Sequence, residues 1–166
     1  MRVLGIDPGI AIMGFGFIDK IGHRLAPVQY GCIETEAGTR TEERLRLIYE
    51  ASCSLLDRYR PDTIAVEKLF FNKNVTNAFS VGQARGVLLL AAAQRGLPVA
   101  EYTPMQVKQA VVGYGAAEKK QVQEMVKMML KLQAVPKPDD VADALAVAIC
   151  HAHSAALNDR LNGVKP

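Results

Sequence analysis

Arg2-Val3-Leu4-Gly5-Ile6-Asp7-Pro8-Gly9 opens the chain with a short apolar run that ends on a carboxylate. A run this rich in Val, Leu and Ile reads as a strand buried on at least one face, where an ionised carboxylate is costly unless neutralised. Three partners are open for Asp7: a turn, a cation supplied by the protein, or a metal ion. The turn has a mechanism of its own, because in Asp7-Pro8-Gly9 the proline fixes φ and the glycine tolerates positive φ. On these residues alone the turn is preferred.

Working outward, Ile12 to Ile18 reads as a second strand, with Gly14 and Gly16 where a bulge or a close backbone approach is needed. Asp19 to Gly22 is a hairpin turn and Pro27 to Glu34 a third strand, so the chain begins as an antiparallel meander. Thr41 is placed as the cap of a helix with Glu42 and Glu43 in its first turn, and Pro61 ends it. Thr63-Ile64-Ala65-Val66-Glu67 repeats the opening pattern, an apolar strand closing on an acid. In α/β sheets, ligands gather at that end of parallel strands. A loop from Lys68 to Thr76, a buried Ala/Leu-rich helix from Ser80 to Gln94 and a strand from Leu97 to Tyr102 follow. Thr103-Pro104 then caps and starts a helix through Val111, which Gly113-Tyr114-Gly115 breaks. Ala117 to Leu132 is amphipathic, and a last helix runs from Asp139 to about Ala156.

The 166 residues fit one domain, expected over 1–157 with a polar tail over 158–166. Hydrophobic residues make up 49% and charged residues 22%, an ordinary globular balance that argues against disorder. A net charge of only +3 permits a nucleic-acid partner without requiring one. Cys32, Cys53 and Cys150 are far apart and form no CxxC, which disfavours zinc and a disulfide framework and suits a reducing compartment. No basic N-terminal region precedes a long apolar core, and no apolar run approaches a membrane span, so the expected location is the cytoplasm.

The last helix carries Asp139, Asp140 and Asp143 beside an apolar face of Val141, Leu145, Ala148, Ile149 and Ala152. At about 100° per residue both Asp139 and Asp140 share a side with Asp143, and spacing does not choose between them. Acids at a helix N-terminus suit the dipole, which accounts for the first two better than for Asp143. Asp7 and Glu67 end strands, and Asp140 and Asp143 open a helix. Clustered acids raise one another's pKa unless a divalent cation sits among them. Oxygen-only ligation selects Mg²⁺ or Mn²⁺, and a pair of such ions activates water and stabilises the leaving oxygen in phosphodiester cleavage.

Gly5-Ile6-Asp7-Pro8-Gly9, Ala65-Val66-Glu67, Gly82-Gln83-Ala84-Arg85-Gly86, Gln106-Val107-Lys108-Gln109, Ala117-Glu118-Lys119 and Ala142-Asp143-Ala144-Leu145-Ala146 run in order over almost the whole chain. In these segments it resembles the RuvC family of bacterial Holliday junction resolvases, of the ribonuclease-H-like superfamily. The resemblance implies an α/β fold with a five-stranded mixed sheet flanked by helices. It also implies Asp7, Glu67, Asp140 and Asp143 as catalytic ligands of two Mg²⁺ ions, and favours Asp140 over Asp139. The implied activity is paired, symmetric hydrolysis of four-way DNA junctions, leaving 5′-phosphate and 3′-hydroxyl ends.

The same resemblance assigns Lys108 and Lys119 to phosphate contact, with Lys120 beside them, and Phe70 to stacking against an unpaired base near the junction centre. Lys73 and Arg85 are weaker candidates for that surface. The two-fold symmetry of a four-way junction calls for a homodimer, with the Ala/Leu-rich helix as the expected interface. A branch-migration motor is the further partner implied. Two other readings compete. Actin-like ATPases share a Gly-Ile-Asp-x-Gly opening but need two lobes; a junction binder that does not cut would bind in EDTA and yield no products.

Overall fold

In the computed structural model, which describes residues 1–68 and 75–162, the opening run forms β1 (Arg2–Asp7). β2 (Ile12–Ile21) lies antiparallel along one side of it, and β3 (Arg24–Glu34) continues the meander. On the other side β4 (Thr63–Glu67) runs parallel to β1, and β5 (Val99–Tyr102) parallel to β4. The order β3-β2-β1-β4-β5 puts β1 at the centre of a five-stranded mixed sheet, as expected. Covered on both faces, the central strands are nearly continuous in apolar residues.

Side chains alternate across a sheet, and the alternation sorts the core into two layers. Leu4, Ile6, Met13, Phe15, Phe17, Ile64 and Val66 pack with Ile48 and Leu56 of α1 (Thr41–Tyr59) and Ala84 and Leu88 of α2 (Val75–Ala93). Val3, Ile18 and Ala65 face the other way, towards α3 (Pro104–Val112), α4 (Lys119–Met129) and α5 (Asp139–Asn162). Asp7 and Glu67 keep step with Val3 and Ala65, so they belong to the second face. Across that face, Tyr102 at the end of β5 shares a 2.8 Å hydrogen bond with His151 Nδ1 of α5.

α5 lies against the middle of the sheet because three positions beneath it lack side chains. A Cβ at Gly5 would stand 2.0 Å from the Ala144 carbonyl oxygen and 2.8 Å from the Ala148 Cβ. One at Gly14 would stand 2.0 Å from the Asp140 carbonyl oxygen, and one at Gly16 2.4 Å from Leu145 Cδ2. The expectation of close approach at Gly14 and Gly16 holds, and the irregularity in β2 falls beside them, between Phe17 and Ile18.

Several boundaries differ from expectation. β2 and β3 extend to Ile21 and Arg24, which tightens the hairpin onto Gly22 at φ 61°. Arg40, not Thr41, takes the N-cap of α1, without a side-chain cap; Glu42 and Glu43 satisfy the first turn by charge. That helix ends at Arg60, in the left-handed region at φ 45°, just before Pro61. α2 begins at Val75, inside the expected loop, and α5 runs past Ala156 to Asn162. α3 follows the reading closely: Thr103 and Gln106 form a capping box, Pro104 is the first helical residue and Gly113 closes the helix at φ 82°.

Gly5→Ala is expected to cost about 3 kcal/mol in urea unfolding, because the new methyl meets helix backbone that cannot rotate away. A loss below about 1 kcal/mol would contradict the contact.

Candidate active site

Strand register brings the first two acids together. Ile6 pairs with Val66 in the parallel ladder, so Asp7 and Glu67 follow as adjacent residues at the C-terminal end of the sheet. Asp7 itself pairs with Gly14, the glycine that admits the Asp140 backbone. The first turn of α5 therefore lies over Asp7, and Asp143 follows one turn on.

The electrostatics report the same convergence. Asp7 is pushed up to about 7 by burial, then by the charges of Asp143, Asp140 and Glu67, with Lys119 offsetting part of the rise. Burial also raises Glu67, reinforced by Asp143 and opposed by Lys108 and Lys119. Asp143 is raised by burial in spite of its hydrogen bond to Lys119. These carboxylates share a site that disfavours their full ionisation. Among the described residues, however, no three His, Cys, Asp or Glu side chains are gathered closely enough to hold one ion.

A lysine stands among the acids. Lys119 Nζ lies 2.9 Å from Asp143 Oδ2 and 3.6 Å from Asp139 Oδ2. Burial opposes the charge on Lys119, yet its hydrogen bond to Asp143, with the charges of Asp143, Asp139 and Asp7, holds its pKa above the ordinary value. Asp139 faces outward to Lys137 Nζ at 2.7 Å, and that hydrogen bond keeps its carboxyl below the usual range. The two acids that spacing left equivalent are thus separated by packing: Asp140 backs onto Gly14 over Asp7, and Asp139 joins the lysines.

Lys119 and Lys120 occupy the first turn of α4, which contains no acid and is capped by a box between Glu118 and Gln121. Cations at the positive end of a helix run against the dipole, so the helix itself does not favour them; Lys119 is compensated instead by its ion pair with Asp143. Beside them a cleft of about 260 Å³ is lined by Glu67, Asp143, Lys108 and Lys119, with Val107 and Val122 as apolar wall. On the far side of Lys119, Lys120, Lys137 and Asp139 line a second, more open groove of about 490 Å³. Lys137 escaped the sequence reading, although its place two residues before Asp139 was the available signal.

Arg85 is not brought to this site. It pairs with Glu101 of β5, whose neighbour Val99 packs in the α1/α2 layer on the opposite face of the sheet. Phe70 and Lys73 lie outside the described residues.

Comparison with known proteins agrees with the fold. The family model for crossover junction endodeoxyribonuclease RuvC matches residues 3–151. The crossover junction endodeoxyribonuclease RuvC of Brevibacillus brevis is 67% identical over 165 residues, covering 99% of each chain. That of Desulfitobacterium hafniense is 61% identical over 163 residues, covering 98% of this chain and 99% of the relative. The structure of Thermus thermophilus RuvC in complex with Holliday junction substrate superposes with a TM-score of 0.91 at 40% identity, covering 95% of this chain and 96% of that one. The yeast mitochondrial resolvase Ydc2, at 17% identity and a TM-score of 0.70, shares the fold. With this match, the five-stranded sheet and its helices form a ribonuclease-H-like fold. A family match across nearly the whole chain, and relatives of equal length at this identity, place it plainly: the chain belongs to the RuvC family of crossover junction endodeoxyribonucleases.

Proposed function

We propose that this chain resolves four-way DNA junctions by metal-dependent hydrolysis of two symmetrically related phosphodiester bonds. The observation that carries the reading is Asp7, a carboxyl raised to about 7 by burial and by three neighbouring acids, two of which, Glu67 and Asp143, line a cleft together with Lys108 and Lys119. A structural role would not need four acids at one sheet end; a cation and a phosphate would.

Asp7, Glu67, Asp140 and Asp143 would hold the metal. Their donor atoms are all carboxylate oxygens, which suits Mg²⁺ or Mn²⁺, and their mutual repulsion is relieved by positive charge. When bound, one or two such ions supply Lewis acidity at the phosphate and a route to an activated water. The chain's own part is to place and neutralise the DNA. Lys108 and Lys119 reach the cleft from α3 and α4, so the same walls that bury the acids offer donors to a phosphate backbone. Lys120 extends that path along the neighbouring groove. Phe70 and Lys73 are proposed to engage the junction centre by stacking and charge.

Paired incision calls for two copies. On α2 the large apolar side chains Phe79 and Leu90 are 67% and 53% exposed, and Gly82 and Gly86 between them have open space above. These residues suit a helix-on-helix contact between copies, which supports the homodimer. Coupling to a branch-migration motor belongs to the same reading. So does the single nuclease domain over 1–157 with a tail over 158–166. Among the described residues no helix is long and apolar enough to cross a membrane, and Cys32, Cys53 and Cys150 are free thiols, which suits a reducing cytoplasm.

Incubated with a mobile four-way junction and Mg²⁺, the protein is expected to release paired nicks at symmetric positions. Asp7→Asn should lower cleavage on the order of a thousandfold or more while still binding the junction in EDTA. Cleavage by Asp7→Asn near the native rate would remove the reading, and single unpaired nicks would remove the dimer.

Without metal, a carboxyl whose folded pKa is raised binds its proton more tightly in the folded state. Its stabilising contribution is complete below the unfolded value near 3.8 and is lost as pH rises through about 7. Thermal melts in EDTA should therefore show native stability falling between pH 4 and 8. Asp7→Asn should flatten that fall and gain roughly 2 kcal/mol at pH 8. Parallel curves for the two proteins would contradict the assignment.

A further inference from the structure

We infer that Lys119 is the resident counter-ion of the metal-free acid cluster, and that it surrenders Asp143 when a divalent cation is taken up, which frees its ammonium for the substrate phosphate. The inference rests on the metal-dependent reading above and adds to it a competition between a side chain and the metal.

Contact is the first observation. Lys119 Nζ sits 2.9 Å from Asp143 Oδ2, in the position of an ion pair strengthened by a hydrogen bond, while Asp143 is the half-buried acid that also faces Glu67 and Asp140. A carboxylate oxygen engaged by an ammonium is not free for a divalent ion, and the two cations repel each other at that distance. This agrees with the finding that no three acids among the described residues are drawn together around a common point.

The second observation is a place for the lysine to go. Lys119 is already 3.6 Å from Asp139 Oδ2, and Asp139 is anchored in turn by Lys137 at 2.7 Å. The lysines and acids alternate along the lip of the site in the order Lys137, Asp139, Lys119, Asp143. Released from Asp143, the ammonium keeps a carboxylate within reach outside the cluster and stays beside the cleft. Asp139 then acts as a positioning residue, which accounts for a third acid at the start of α5 that faces away from Asp7.

Freedom to move is the third. The Lys119 side chain is 55% exposed, so no packing holds it on Asp143. Lys108 offers an internal contrast: it lines the same cleft and acts on Glu67 through its charge, yet no ion pair holds it among the described residues. Both lysines lower the pKa of Glu67 through their charge, so a field effect at that acid alone would make them equivalent towards metal; a counter-ion held on Asp143 would not.

Calorimetric titration of the metal-free, DNA-free protein with MnCl₂ tests this. Lys119→Met is expected to bind Mn²⁺ about three- to tenfold tighter than the native chain, as loss of a partly exposed ion pair implies. Lys108→Met should change affinity by less than about twofold. Lys119→Arg, which keeps the charge and can hold Asp143 through two donors, should bind no tighter than native. Native-like or weaker binding by Lys119→Met, or equal tightening by Lys108→Met, overturns the inference and leaves the metal reading intact. If native protein takes up no Mn²⁺ and Asp143→Asn changes nothing, the metal reading falls and the inference with it.

Discussion

Helix α5 can carry its acids to Asp7 only because the sheet offers it glycine. Gly5, Gly14 and Gly16 lie under Ala144, Asp140 and Leu145, and at two of the three a methyl group would meet helix backbone at 2.0 Å. The helix answers with small residues, Ala144 and Ala148 among them, fully buried against β1 and β2. Packing this close leaves little freedom in register, since any side chain added beneath the helix displaces its first turn. The same contact that closes the core therefore sets how far Asp140 and Asp143 stand from Asp7 and Glu67.

The arrangement costs electrostatic energy in the metal-free chain. Acids on two neighbouring parallel strands and one helix raise each other's pKa, and Lys119 offsets only part of the rise. Lys119 stands among the acids on Asp143, and Lys120 and Lys137 line the groove beside it, so the site mixes both signs of charge at the end of a largely apolar sheet. Such a surface repels a DNA phosphate less than acids alone would, and the lysines at the start of α4 sit where the helix's own donors favour an anion. Membership of the RuvC family gives this constellation its context: the matching stretch runs from residue 3 to residue 151 and takes in every acid and lysine of the site.

Much of this was legible in the residues. Short apolar runs closing on an acid placed Asp7 and Glu67 at the ends of β1 and β4, and Thr103-Pro104 marked the start of α3. Asp143 stood out because it interrupts a face of Ala, Leu and Val. What stayed hidden depends on contacts distant in sequence. Spacing made Asp139 and Asp140 equivalent, and only Gly14 below and Lys137 beside them separate the pair. Arg85 shares a segment with glycines that match the family, and its pairing with Glu101, sixteen residues on, was not readable from that segment. Thr41 looked like a cap by type, but the backbone turns into α1 one residue earlier, at Arg40.

Anomalous diffraction from crystals of the full chain grown with Mn²⁺ tests the convergence of the acids most directly. The expected result is a peak bounded by the carboxylates of Asp7, Glu67, Asp140 and Asp143, with Asp139 outside its coordination shell. A peak that engages Asp139 in place of Asp7, or one held by acids elsewhere on the chain with this cluster bare, would contradict it.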